Sequence, residues 1–164
     1  MTLEEAHSEF INVWGSLGTS WGINRTMAQI HALLLVSAEP LSTEDIMEKL
    51  NISRGNANMN TRSLMDWGLA EKRFISGERR EFFVAGKEVW TMAKQVAKQR
   101  KQRELEPLIR SLTTLKLNKV KTKEEKEFKL LMDNMIEFSS GADNLMEKFV
   151  SSKKNWLFKL ASKI

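Results

Sequence analysis

The sequence has no cysteine and no tyrosine, and only two prolines and two histidines in 164 residues. Without cysteine there can be no disulfide and no thiolate metal site. A reducing compartment suits such a chain, and the expected location is cytoplasmic. His7 and His31 are too isolated to show metal-ligand spacing. No Gly-rich phosphate loop follows a strand, and no Ser/His/Asp grouping can be assembled. Glu124-Glu125 reads as the acidic first turn of a helix. No cofactor is expected, and an enzyme is not expected. No run of about 18 apolar residues occurs, so no membrane span is expected. The first ten residues hold three glutamates and no apolar core, unlike a signal peptide.

What remains is a chain with 41% hydrophobic residues, enough for a core, and a net charge of +5 that favours anionic partners. Its most informative stretch runs from Leu41 to Phe83. Ser42 and Asp45 have capping-box spacing, and Ile46 and Leu50 share a helical face. Asn51 suits a left-handed turn, and Ser53 can cap a second helix. That second helix opens with Arg54, Gly55, Asn56, Asn58, Asn60, Thr61 and Arg62. Asparagine and glycine are poor interior helix formers. Their presence points to a polar task, because short amides and guanidiniums suit base edges and phosphates. Ala57, Leu64 and Met65 would anchor the helix, and Gly68 would stop it. Two β-prone runs, 69–75 and 81–84, then flank Ser76-Gly77-Glu78-Arg79, a hairpin signal. The stretch reads as a winged helix-turn-helix.

Charge within it is balanced. Lys49, Arg54, Arg62, Lys72, Arg73, Arg79 and Arg80 face Glu44, Asp45, Glu48, Asp66, Glu71, Glu78 and Glu81. Winged helices also serve as protein-interaction modules, so that reading stands as the alternative. The distribution favours DNA, since Asp45 and Glu48 fall on the first helix and the arginines fall on the second helix and wing. The candidate DNA contacts are Ser53, Arg54, Asn56, Asn58, Asn60, Arg62, Lys72, Arg73, Arg79 and Arg80. The three asparagines cannot face one groove equally, because a spacing of two turns the helix by about 200°. Asn56 and Asn60, with Arg54 or Ser53, are favoured for one face. Arg62 is assigned to a phosphate, and Arg79 and Arg80 to the wing.

Leu50-Asn51-Ile52-Ser53-Arg54-Gly55-Asn56, running into Leu64-Met65-Asp66-Trp67-Gly68-Leu69-Ala70 and then Gly77-Glu78-Arg79-Arg80-Glu81-Phe82-Phe83, resembles the GbsR-type branch of the MarR-like bacterial transcriptional regulators. The likeness spans roughly residues 5 to 110. It implies a homodimer that represses or activates, with its recognition helix in the major groove of double-stranded DNA. Some relatives sense choline-type compounds, which raises an aromatic cage for a quaternary ammonium. Trp14, Trp21, Trp67, Trp90 and Trp156 are the available tryptophans. The lack of tyrosine removes a common cage component, and the aromatics are read mainly as core.

The rest of the chain reads as helices. Residues 2 to 17 start at a Thr2/Glu5 capping spacing, with an apolar stripe of Phe10, Val13, Trp14 and Leu17 that Gly15, Gly18 and Gly22 should break. Asn24 opens the next helix, whose buried side holds Met27, Ile30, His31, Leu34 and Leu35. His31 is read as a hydrogen-bonded core histidine, with a ligand contact as the sharper alternative. Residues 86 to 110 read as one helix carrying the basic run Lys98-Gln99-Arg100-Lys101-Gln102-Arg103, a solvated face or a phosphate contact, with Pro107 as kink or new start. Thr122/Glu125 opens a helix that Ser139-Ser140-Gly141 should end. Residues 142 to 164 form a basic amphipathic segment, read as an interaction helix rather than a membrane-surface one.

The expected class is mainly α with a small β-wing (α+β). Residues 1–22 are an N-terminal dimerisation helix, 23–86 the winged helix-turn-helix, and 87–164 a C-terminal helical dimerisation region. The expected function is a sequence-specific regulator, homodimeric on a near-palindromic operator and modulated by a small-molecule effector, with no membrane partner.

Overall fold

The computed structural model describes residues 1–20, 22–117 and 119–152. Trp21 and the predicted apolar and basic positions from Lys153 onward, including Trp156, lie outside the described residues. The chain forms two compact units, residues 1–92 and 93–164.

In the first unit, α1 (Leu3–Ser20) begins at a reciprocal cap, with Glu5 N donating to Thr2 Oγ1 at 3.2 Å and Thr2 N to Glu5 Oε2 at 2.7 Å. The expected break at Gly15 does not occur. Gly15 and Gly18 are buried inside the helix, and a Cβ on Gly18 would lie 2.4 Å from Ala28 Cβ. These glycines let two helices approach closely rather than ending one. The second of those helices, α2 (Arg25–Val36), is capped by Asn24, whose side chain accepts from Met27 N at 2.8 Å. It is buried on nearly all sides through Met27, Ala28, Ile30, His31, Ala32, Leu33 and Leu34. It is the post around which the unit packs.

A short strand, β1 (Leu41–Ser42), leads into α3 (Thr43–Leu50). Ser42 and Asp45 form the predicted capping box, and Asn51 takes the left-handed conformation at φ 50°. Helix α4 (Arg54–Asp66) follows, capped by Ser53, and Gly68 at φ 69° turns the chain away. Strands β2 (Glu71–Arg73) and β3 (Phe82–Val84) complete an antiparallel sheet in the order β1-β3-β2. Leu41 pairs with Phe83 and Ser42 with Phe82, while Arg73 also meets Phe82 across the wing. The strands are shorter than the runs 69–75 and 81–84, and β1 was not foreseen. Two residues are too few for a period-two pattern to show. Ile30, Ile46 and Leu64 are fully buried, and each contributes about 1.5–3 kcal/mol of apolar burial.

In the second unit, α5 (Val89–Arg100, which begins in the first) runs into a π-helical turn at Lys101–Leu105 and then α6 (Glu106–Thr114). Pro107 follows that π-helical turn directly, where the helix continues uncapped through Leu105 and its hydrogen-bond ladder already departs from the α spacing. Helix α7 (Lys123–Ser151) starts at the predicted Thr122/Glu125 box but runs straight through Ser139-Ser140-Gly141. Ser139 is buried, so its small size serves packing and not termination. Leu112 and Met132 form the buried contact of α6 and α7.

Candidate nucleic-acid interface

The orientation of α4 is set by four residues. Ala57, Asn60, Thr61 and Leu64 are buried, at the i, i+3, i+4, i+7 spacing of a single helical stripe. The opposite, exposed face carries Arg54, Gly55, Asn58, Met59 and Arg62, with Asn56 half-buried beside it. The expected pairing of Asn56 and Asn60 on one outward face is therefore corrected. Asn60 is 1% exposed and cannot reach a duplex. The periodicity contained this answer, because Ala57 and Leu64 already place position 60 inside their stripe.

Asn60 links two helices instead. Its Oδ1 accepts from Asn24 Nδ2 at 2.7 Å, and its own Nδ2 donates to Asn56 Oδ1 at 2.6 Å and to Asn56 O at 2.9 Å. The cap of α2 is thus tied to the first turn of α4. Because the oxygen of Asn56 accepts within the protein, its amide nitrogen is the group left to a partner. Asn58 behaves alike, with its Oδ1 accepting from Thr43 Oγ1 at 3.3 Å. With Arg54 and Arg62, the face offers donors almost exclusively. Its natural complement is rich in acceptors, as phosphates and the major-groove edges of guanine, adenine N7 and thymine O4 are.

The cations are more engaged than their spacing suggested. Arg54 pairs with Glu44 at 2.7 Å, Arg73 with Glu71 at 3.4 Å, Arg80 with Glu78 at 3.2 Å, and Lys72 with Glu81. Pairing across elements, as in Arg54–Glu44, leaves no mark in sequence spacing. A bond to its own backbone amide, then the Arg54 guanidinium, holds the Glu44 carboxyl below its usual range. The Ser42 hydroxyl and amide do the same for Asp45. Hydrogen bonding and the charge of Glu78 raise Arg80, whose guanidinium also lies 5.3 Å from the ring centre of Phe82. Exposed pairs of this kind are weak and can exchange a carboxylate for a phosphate. Arg62 and Arg79 are exposed and have no ion pair among the described residues. Ser53 is exposed, but its hydroxyl accepts from Asn56 N at 3.2 Å as the helix cap.

Other candidates resolve differently. His31 is 3% exposed, and its Nδ1 accepts a long 3.4 Å bond from Trp14 Nε1. Burial lowers its pKa to about 4, so it is neutral and core. Trp67 is buried, and Phe10 and Trp14 stack at 5.4 Å. An open cleft of about 820 Å³ lies between α1, α2 and the end of α3, lined by Leu3, His7, Ile11, Leu33, Val36 and Leu50 among others. Among the described residues no phenylalanine or tryptophan lines it, so they supply no aromatic cage for a quaternary ammonium there. In the basic run, Lys101 is neither solvated nor free: it meets Glu106 at 3.0 Å and Asp143 and Glu147 at 3.4 Å. Among the described residues no acidic or histidine cluster could hold a metal ion, and no helix is long and apolar enough to cross a membrane.

No curated protein matches the chain. A solved structure described as the crystal structure of a transcriptional regulator aligns with a TM-score of 0.55 at 20% identity, over 87% of this chain and 99% of that one. At that identity the likeness concerns the fold alone. Residues 21–81, a span that contains α2, α3, α4 and the wing tip, match the family model described as the MarR family. The chain thus folds its strands and helices α2 to α4 into a winged helix-turn-helix, and the segment that does so is similar to that family.

Proposed function

We propose that the protein is a sequence-specific DNA-binding transcriptional regulator of the GbsR-type branch. It acts as a homodimer on a near-palindromic operator. The single observation that carries this reading is the donor face of α4, where Arg54, Asn56, Asn58 and Arg62 turn N–H groups outward from a helix locked by its buried stripe. The wing adds the exposed Arg79 in the same fold unit. Two-fold pairing is supported by the apolar residues that the second unit leaves exposed on α7, among them Leu130, Leu131, Phe138 and Leu145. A dimer would cover them and space two recognition helices one DNA turn apart. The aliphatic cleft between α1 and α2, with Glu4, Glu39 and Lys49 at its walls, suits a small amphiphilic effector better than a caged cation.

The test is selection of duplexes from a random-core library by the purified protein, followed by binding titrations against salt. A palindromic consensus and a steep salt slope are expected, and Arg62→Ala should reduce that slope by about one. Retention of no duplex above background would refute the reading and leave the protein-interaction alternative.

A further inference from the structure

The wing carries a side chain that the reading above does not use. Phe74 is 92% exposed, while Phe82 and Phe83 of the same hairpin are buried at 7% and 3%. The hairpin can bury phenylalanine, and it places this one outside. Its neighbours sharpen the contrast. Strand β2 is the sheet edge and is otherwise charged, Glu71-Lys72-Arg73, the usual guard against unwanted strand pairing. Phe74 follows directly. Beyond it Gly77, at φ 84°, closes a turn in which Glu78 N donates to Ile75 O at 3.1 Å. Ile75, the other apolar residue before the turn, is less exposed, at 38%. An apolar ring thus projects from a hairpin that also presents Arg73, Arg79 and Arg80 to solvent.

We propose that Phe74 is an apolar wedge which the wing inserts into the minor groove, partly unstacking one base step beside the site of α4. The charges decide the occupant. From Arg73 to Arg80 there are three arginines and one glutamate, and Arg79 has no ion pair among the described residues. Arginines follow the negative potential of a narrow minor groove, and a ring between them has an apolar target there in the faces of the bases. A protein partner would need an apolar socket ringed by acids. Flexible pyrimidine–purine steps unstack at least cost, so the wedge would contribute sequence preference at positions that no hydrogen bond reads.

The inference rests on the DNA-binding reading, and its test separates the two. A duplex selected by the intact protein is labelled with 2-aminopurine, one position at a time, across the flank beside the α4 site. Binding and its salt slope are measured together with the probe's fluorescence. The intact protein should brighten the probe at one step per half-site. Phe74→Ala should abolish that signal and weaken binding by roughly three- to tenfold, since ring burial is partly offset by unstacking. Phe74→Trp should keep the signal. Phe74→Lys should lose it while phosphate affinity is retained or raised. Because the ring is exposed, none of these variants removes a core contact. An unchanged signal in Phe74→Ala, or no brightening at any position by a tightly bound intact protein, would overturn the wedge and leave DNA binding standing. Failure to select any duplex would overturn the DNA-binding reading, and the wedge with it.

Discussion

Replacing Asn60 by aspartate changes one atom type at the most consequential polar position of the first unit. Asn60 is 1% exposed, and its amide nitrogen donates to two oxygens of Asn56 while its oxygen accepts from Asn24. In Asn60→Asp the Asn24 bond can persist, but a carboxylate oxygen then faces two acceptors at the former 2.6 and 2.9 Å. A buried anion without a donor on that side should cost about 3 kcal/mol or more at neutral pH. The neutral acid avoids most of this, because its O–H can donate to Asn56 O. Burial therefore raises the folded pKa of the new carboxyl above its unfolded value of about 4. Relative to the parent at the same pH, the variant's stability is fully present below that unfolded value and is lost as pH rises through the folded one. Asn60→Leu, which strands the partners without adding charge, should cost about 1–3 kcal/mol with no such pH dependence. Urea denaturation at pH 4.5 and pH 7.5, each referenced to the parent, makes the comparison. Equal losses for Asn60→Asp at both pH values would refute the buried, oriented relay.

Three further outcomes follow from other parts of the chain. His31 has a folded pKa of about 4 against an unfolded 6.5, so stability is present above 6.5 and should fall by about 3 kcal/mol as pH drops toward 4; His31→Gln should flatten that slope in acid denaturation. Gly18→Ala forces a methyl to 2.4 Å from Ala28 and should destabilise by about 1–3 kcal/mol, whereas Gly55→Ala in α4, with nothing within 4 Å, should stabilise by up to about 1 kcal/mol. Thermal melts of the two variants decide it, and shifts of the same sign would contradict the close approach of α1 and α2. Arg79→Ala should lower the salt slope of DNA binding by about one unit, and an unchanged slope would remove that side chain from the interface.

The parts of this fold that were legible beforehand are those specified by local chemistry. Ser42 with Asp45, Asn51, Ser53, Gly68 and the Thr122/Glu125 pair each do at short range what their spacing says. What misled were small residues whose role is set by a distant partner. Gly18 reads as a breaker until Ala28 is placed against it, and Ser139 reads as a stop until it is buried. At the site, chemical type and helical phase point in different directions. Asn60 looked like a base reader because it is an asparagine in a run of asparagines. The stripe through Ala57 and Leu64, already visible in the sequence, turns it inward. The pairing of Arg54 with Glu44 ten residues earlier, and the outward setting of Phe74, have no counterpart in periodicity.

The central claim is that the exposed face of α4 lies in the major groove. The absence of cysteine makes a direct measurement available, since a single Asn58→Cys substitution gives one attachment point for an iron chelate that cuts nearby DNA. On a selected duplex, two clusters of cleavage about one helical turn apart are expected, centred on the two half-sites. A cutting pattern no more localised than that from Lys123→Cys, at the start of α7, would contradict the claim.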